Sequence, residues 1–168
     1  MKKVLLFCLI IFSCLLLIGC DKEEKENLFE EISYKIPDEF EKDESFIYTR
    51  NYHYYNDSIY CDVDVKAYEK RYYNEDRETW FKDNIRVNLS DEVSELKEID
   101  ISNNKAMNIN VNKSETNETH YYYGFVSSNF YYLIDYNISN HNKDEDFDEK
   151  TSPCYKYIDE IIYSVKVK

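Results

Sequence analysis

The chain of 168 residues has two glycines, Gly19 and Gly124, and two prolines, Pro37 and Pro153. So few glycines cannot assemble a glycine-rich phosphate loop or a dinucleotide-binding fingerprint, since both need glycines closely spaced where the backbone approaches phosphate. Basic residues are also scarce: 21 Lys+Arg stand against 34 Asp+Glu, a formal charge of -13. A surface this acidic repels a phosphate backbone, so nucleic acid is not an expected partner. The three histidines, His53, His120 and His141, are scattered, and no His-x-x-x-His or Cys-x-x-Cys spacing writes a local zinc site. No Gly-x-Ser-x-Gly elbow presents a nucleophilic serine. The expectation is a protein that is not an enzyme and has no cofactor. Aromatic residues are plentiful instead, at 17% with 18 Tyr and 9 Phe. That supply is enough for a packed core, and the length suits one domain.

The amino-terminal end, MKKVLLFCLIIFSCLLLIGC, places Lys2 and Lys3 before an apolar run over residues 4–18, broken only by Ser13. Fifteen residues at about 1.5 Å each give about 22 Å of helix, short of a ~30 Å bilayer core. A cleaved signal peptide fits that length better than a permanent span. The run ends in Leu17-Ile18-Gly19-Cys20, which resembles the bacterial lipobox. The resemblance implies cleavage after Gly19, diacylglyceryl modification of the Cys20 thiol, and a mature lipoprotein on the extracytoplasmic face of the cell membrane. Loss of Lys2 and Lys3 would take the charge from -13 to -15, which anionic headgroups repel, so membrane attachment rests on the lipid. The expected organisation is a signal peptide over 1–19, a lipidated cysteine and charged tether over 20–30, and one domain over 31–168. With Cys8 and Cys14 removed and Cys20 lipidated, Cys61 and Cys154 remain. Two exported cysteines suggest one disulfide, with two buried free thiols as the alternative.

Along the domain, residues 32–36 and 46–55 read as strands. Ile59, Cys61, Val63, Val65 and Ala67 alternate with polar residues, the clearest strand signal in the chain. The period then changes: after Asn74 or Asp76 as N-cap, Phe81, Ile85 and Leu89 recur every fourth residue beside Trp80, predicting a helix of about three turns. Residues 93–101 return to strand, a tight hairpin follows at residues 102–105, and Met107, Ile109 and Val111 face inward. Residues 120–126 and 130–138 give two more strands, and Ser152-Pro153 opens a terminal helix carrying Cys154, Ile158, Ile161 and Val165. This order predicts an α+β fold, an antiparallel sheet of about six to seven strands packed against two main helices. A strand ending in Ile36-Pro37, a Trp80-containing helix, the Asn103-Asn104 hairpin, Tyr121-Tyr122-Tyr123-Gly124-Phe125 and a closing Ile162-Tyr163-Ser164-Val165 together resemble the PsbP-like fold. The resemblance implies macromolecule binding and carries over no catalytic residues. A cystatin-like or NTF2-like sheet-and-helix fold is the alternative.

Three groups are candidates for function. Tyr60, Tyr68, Tyr121, Tyr123 and Tyr131 are expected on outer strand positions, where flat apolar area with a hydroxyl suits an envelope protein, or alternatively a glycan or small ligand. Residues 144–149 are acidic but fail as an EF-hand, because Glu149 stands where a glycine is needed and Tyr155 where a bidentate glutamate is needed; no metal site is assigned. Asp62 and Asp64 share one strand face, the pattern of carboxylates that keep a sheet soluble. The lipobox reading makes one prediction: Cys20→Ala leaves uncleaved precursor or releases protein to the medium. Maturation and membrane partitioning identical to wild type would refute it.

Overall fold

A computed structural model describes residues 27–43, 46–142 and 148–168. The lipobox-like segment with Cys20, and residues 144–147 of the acidic run, lie outside the described residues. Among the described residues ten strands form: β1 (Ile32–Ser33), β2 (Glu41–Lys42), β3 (Thr49–Asn56), β4 (Ile59–Glu69), β5 (Glu92–Val93), β6 (Lys97–Ile101), β7 (Asn104–Lys113), β8 (Glu118–Val126), β9 (Phe130–Asn140) and β10 (Lys166–Val167). Two α-helices accompany them, α1 (Arg77–Asn84) and α2 (Tyr155–Ile162). Eight strands make one antiparallel sheet in the order β2-β3-β4-β9-β8-β7, with β5 and β6 both pairing with β7, while β1 and β10 pair separately. The class is α+β as expected, with eight strands in the main sheet. No helix among the described residues is long and apolar enough to cross a membrane.

Turn chemistry sets the hairpins. Ser102 and Asn103 both adopt positive φ between paired Ile101 and Asn104, a two-residue turn whose twist matches the strands it joins. Asp57 and Asn117 supply positive φ in the β3–β4 and β7–β8 connections.

One face of the sheet carries Cys61, Val63, Val65, Ala67, Ile134, Tyr136 and Ile138, sealed by Tyr157, Ile158, Ile161 and Ile162 of α2. Tyr136 donates its hydroxyl to the Cys154 carbonyl at 2.8 Å, and a disulfide joins Cys61 to Cys154 with Cα atoms 5.9 Å apart. Leu28 is also part of this core, so packing begins a few residues before the boundary expected at 31. The opposite face is covered in part by Trp80 and Phe81 of α1, which pack with Met107, Ile109, Val111, Tyr122, Tyr131 and Leu133.

Several elements are shorter than their patterns predict. Asp76 caps α1 by accepting from the Glu78 and Thr79 amides, both at 3.0 Å, but the helix ends at Asn84. Ile85 is already extended and Leu89 is fully exposed, because adjacent Trp80 and Phe81 supply the burial that the four-residue stripe was expected to supply. The strand expected over 93–101 is broken into β5 and β6, where the Ser94 hydroxyl takes the Asn110 amide at 2.9 Å in place of a backbone carbonyl. The first strand stops at Ser33, as the Lys35 amide turns to the Ser164 hydroxyl at 2.8 Å. The terminal helix starts at Tyr155, and Ser152 caps nothing with its side chain.

Gly124 stands where α1 presses on the sheet, and a Cβ there would overlap the Phe81 ring. Gly124→Ala is therefore expected to destabilise by about 1–3 kcal/mol, the usual cost of overpacking. Phe81→Leu should recover part of that loss in the double variant, measured by urea unfolding. Strict additivity of the two substitutions would contradict the packing argument.

Candidate functional site: a groove on the open half of the sheet

Because α1 is short, it leaves half of its face uncovered. The pleat brings polar side chains from four strands together there. Strand pairing sets Asn51, Asp64, Asp135 and Tyr122 in one cross-strand row, and His53, Asp62, Asn137 and His120 in the next. Directly opposed residues on one face have Cβ atoms about 5 Å apart, so opposed Asp64 and Asp135 repel. Their neighbours offset this: Asn51 Nδ2 donates to Asp64, and Lys66 Nζ lies 3.3 Å from Asp64 Oδ2. Asp135 Oδ1 is 2.8 Å from His120 Nδ1. The His120 ring stacks on Tyr122 with centroids 5.4 Å apart, and its Nε2 lies 3.5 Å from Glu118 Oε2 without a hydrogen bond. His53 Nδ1 lies 3.2 Å from Asp43 Oδ2 at the outer rim.

Asp62 differs from the other floor carboxylates. No ion pair or hydrogen bond with a described residue engages it. Burial, then the charges of Asp64, Asp43 and Asp135, push its carboxyl above the usual aspartate value, with His53 acting in the opposite sense. The side-chain oxygens of Asn51 and Asn137 are buried and also unpartnered. The groove over these residues holds about 520 Å³, with Arg86 and Lys113 on its walls. It continues past shared Thr49 and Lys66 into an aromatic cleft of about 350 Å³ lined by Tyr48, Tyr68, Tyr72 and Tyr73. Tyr72 is 70% exposed and Phe46, at the junction, 73%.

The sequence-predicted tyrosines divide between surface and core. Tyr68 forms a wall of the aromatic cleft, packed edge-on against Trp80 at 5.4 Å. Tyr60 is half-buried on the same face, between Tyr55 at 4.3 Å and His141 at 4.2 Å. Tyr121, Tyr123 and Tyr131 offer no surface, at 6%, 8% and 8% exposed. Tyr121 and Tyr123 belong to the core that α2 seals, and Tyr131 stacks on Trp80 at 4.5 Å. The physical reason is that Tyr121 and Tyr123 lie on the face that α2 seals and Tyr131 lies on the part of the other face that Trp80 covers, so alternation along these central strands does not separate wet from dry. Cys61 and Cys154 sit in the core, away from the groove. Sequence reasoning missed Asn51, His120, Asp135 and Asn137. Asp135 did carry a signal, as the one charged residue within 130–138.

The groove wall offers carboxylates, amides and a carboxylate-oriented histidine but neither serine nor cysteine. Among the described residues no group of three or more His, Cys, Asp or Glu side chains could hold a metal ion. Lys66, Arg86 and Lys113 stand beside the carboxylates, so the lining carries both signs of charge.

No family model matches the chain, and no curated protein matches it. Among solved structures it is similar to LpqN, a protein involved in cell envelope biogenesis of Mycobacterium tuberculosis, with TM-score 0.54 and 11% identity over 82% of this chain and 83% of LpqN. It is also similar to a protein of Bacteroides thetaiotaomicron VPI-5482, with TM-score 0.52 and 10% identity over 82% of this chain. This chain spans 45% of that protein, less than half its length. The likeness is one of fold.

The raised carboxyl of Asp62 has a stability consequence. A folded-state value above the unfolded one disfavours the fold once the group ionises, and protonation relieves that penalty as pH falls through the carboxylate range. Asp62→Asn is therefore expected to raise the thermal midpoint at pH 7 by a few degrees at most, with the gain shrinking toward pH 3. A lowered midpoint at pH 7 would contradict the environment described for Asp62.

Proposed function

We propose that this chain is a lipid-anchored lipoprotein on the extracytoplasmic face of the cell membrane that acts by binding rather than catalysis, and that the groove receives a segment of another envelope macromolecule. One observation supports this reading: an open half-sheet gathers opposed carboxylates and exposed tyrosines that the fold does not need. Opposed or partnerless charges weaken a sheet, and such costs concentrate where a surface serves a ligand. The lipobox-like Leu17-Ile18-Gly19-Cys20 supplies the anchor, and a PsbP-like domain would suit macromolecular recognition. A fold shared with a protein of cell envelope biogenesis is in keeping with that location. Tyr60 and Tyr68 stay in the recognition surface, joined by Tyr48 and Tyr72, while Tyr121, Tyr123 and Tyr131 leave it.

A second reading, a glycan or small-ligand-binding accessory lipoprotein, draws support from the concave form of the aromatic cleft, since a flat tyrosine patch would suit a protein surface better. Crosslinked capture from native membranes tests both. Tyr48→Ala with Tyr72→Ala should reduce captured partner at least tenfold, and deletion of residues 144–149 should leave capture intact. Loss of capture on that deletion, with the tyrosine variant unaffected, would move recognition to the acidic run. Recovery of a glycan in place of a protein would establish the second reading.

A further inference from the structure

We infer that the end of the sheet at which the chain enters the domain rests in the headgroup layer of the membrane, with Phe46 and Ile47 as its apolar contact. This contact is separate from the groove floor and takes from the proposed function only the anchoring of the chain near Cys20. Position, composition and distance carry it. At the point of entry Leu28 is buried, its carbonyl held by the Tyr132 hydroxyl at 2.9 Å, and the Glu31 carboxylate takes the Asn129 amide at 3.2 Å. Leu28 lines a recess of about 330 Å³ with Lys70, Arg71 and Phe130, where β4 ends and β9 begins. Exposed apolar side chains surround that entry: Phe46 and Ile47 in the turn before β3, with Tyr48 and Tyr72 beside them. The Arg50 guanidinium donates to the Phe46 carbonyl at 3.0 Å and lies 4.4 Å from the centre of the Phe29 ring, which joins the exposed turn to the entry segment.

The charge at this end differs from that of the whole. Arg71 lies 2.6 Å from Glu69 and over the Tyr72 ring at 4.9 Å, and Lys70 lies near Glu31. With Arg50 they balance the local carboxylates, although the chain as a whole carries -13. Rings and aliphatic groups beside Arg and Lys suit headgroup depth, the apolar parts reaching the upper acyl chains while the charged tips stay wet. Cys20 and Asn27, where the described residues begin, are seven residues apart, so the intervening chain reaches at most about 25 Å. The eleven residues of β4 alone span about 36 Å. The entry end therefore stays within reach of the bilayer, and the β3–β4 turn lies a strand length farther along the sheet. A partner protein could cover apolar side chains anywhere on the surface, whereas the anchored bilayer meets the entry end first, and Phe46 and Ile47 stand there.

The test places a tryptophan reporter in the protein extracted from its membrane and reconstituted on phosphatidylcholine vesicles with brominated acyl chains. Native Trp80 is fully buried and supplies a constant background. The added signal of Phe46→Trp is expected to fall about twofold or more against vesicles without bromine, with emission shifted to shorter wavelength. Two exposed positions toward the far end serve as controls: Tyr55→Trp beside the β3–β4 turn, and Leu89→Trp three residues before Glu92, which pairs with Asn112. Both should be quenched no more than wild type. Ile47→Trp repeats the measurement should Phe46→Trp fail to fold. Equal quenching at all positions, or none at 46 and 47 in vesicle-bound protein, would overturn the contact and leave the anchor standing. Protein that does not stay on the vesicles would overturn both. Loss of the crosslinked partner in Phe46→Ser with Ile47→Ser, without quenching of the reporters, would give the patch to a protein and likewise overturn the lipid contact.

Discussion

The antiparallel pairing of β4 with β9, in register from Ile59 opposite Asn140 to Glu69 opposite Phe130, is the constraint from which the two faces of the molecule follow. Side chains in a strand alternate with period two, so a slip of one residue exchanges the faces of the slipped strand. Such a slip in β4 would drive Asp62 and Asp64 into the layer that α2 seals and would expose Cys61, Val63 and Val65. The disulfide between Cys61 and Cys154 and the bond from the Tyr136 hydroxyl to the Cys154 carbonyl tie α2 to this one register. The groove is then the remainder, the part of the other face that a helix of barely two turns does not reach.

Buried tyrosines do more here than fill space. The hydroxyls of Tyr132, Tyr136 and Tyr121 reach the Leu28 carbonyl, the Cys154 carbonyl and the Glu149 carboxylate. Each ring therefore adds apolar area to the layer under α2 while its polar tip ties an irregular segment to the sheet. A chain with so few glycines has few tight backbone approaches to use for that purpose. Gly124 is the described glycine, and its role is to admit the Phe81 ring.

Most of the fold was legible because its longest strands obey simple periodicity. β4 and β7 alternate cleanly, the residues of the β6–β7 turn have the expected chemistry, and Cys154 with Ile158 and Ile161 marks the buried stripe of α2. Legibility failed where covering was two-sided: Tyr121, Tyr123 and Tyr131 read as outer residues only while one face of β8 and β9 is taken to be wet. It failed again in the groove for a different reason. Asp64 meets Asp135, and Asp62 meets Asn137, across 71 and 75 residues of sequence respectively. No local pattern encodes an encounter between strands so far apart. The shortening of α1 was equally hidden, since the Phe81, Ile85 and Leu89 spacing looks helical until adjacent Trp80 and Phe81 are seen to satisfy the contact.

The small pairing of β1 with β10 joins the two ends of the domain. Ile32 lies opposite Val167 and Ser33 opposite Lys166, and the Lys168 amide donates to the Glu31 carbonyl at 2.8 Å. Considered mechanically, a tensile load applied at the amino-terminal end reaches this pairing just after buried Leu28, whose carbonyl the Tyr132 hydroxyl holds. Such a pull runs along β1 away from the point where β10 enters the body of the domain, so the hydrogen bonds between them are sheared together instead of peeled singly. Beyond it, the force passes through β10 into α2 and across the covalent Cys61–Cys154 link to the centre of the sheet.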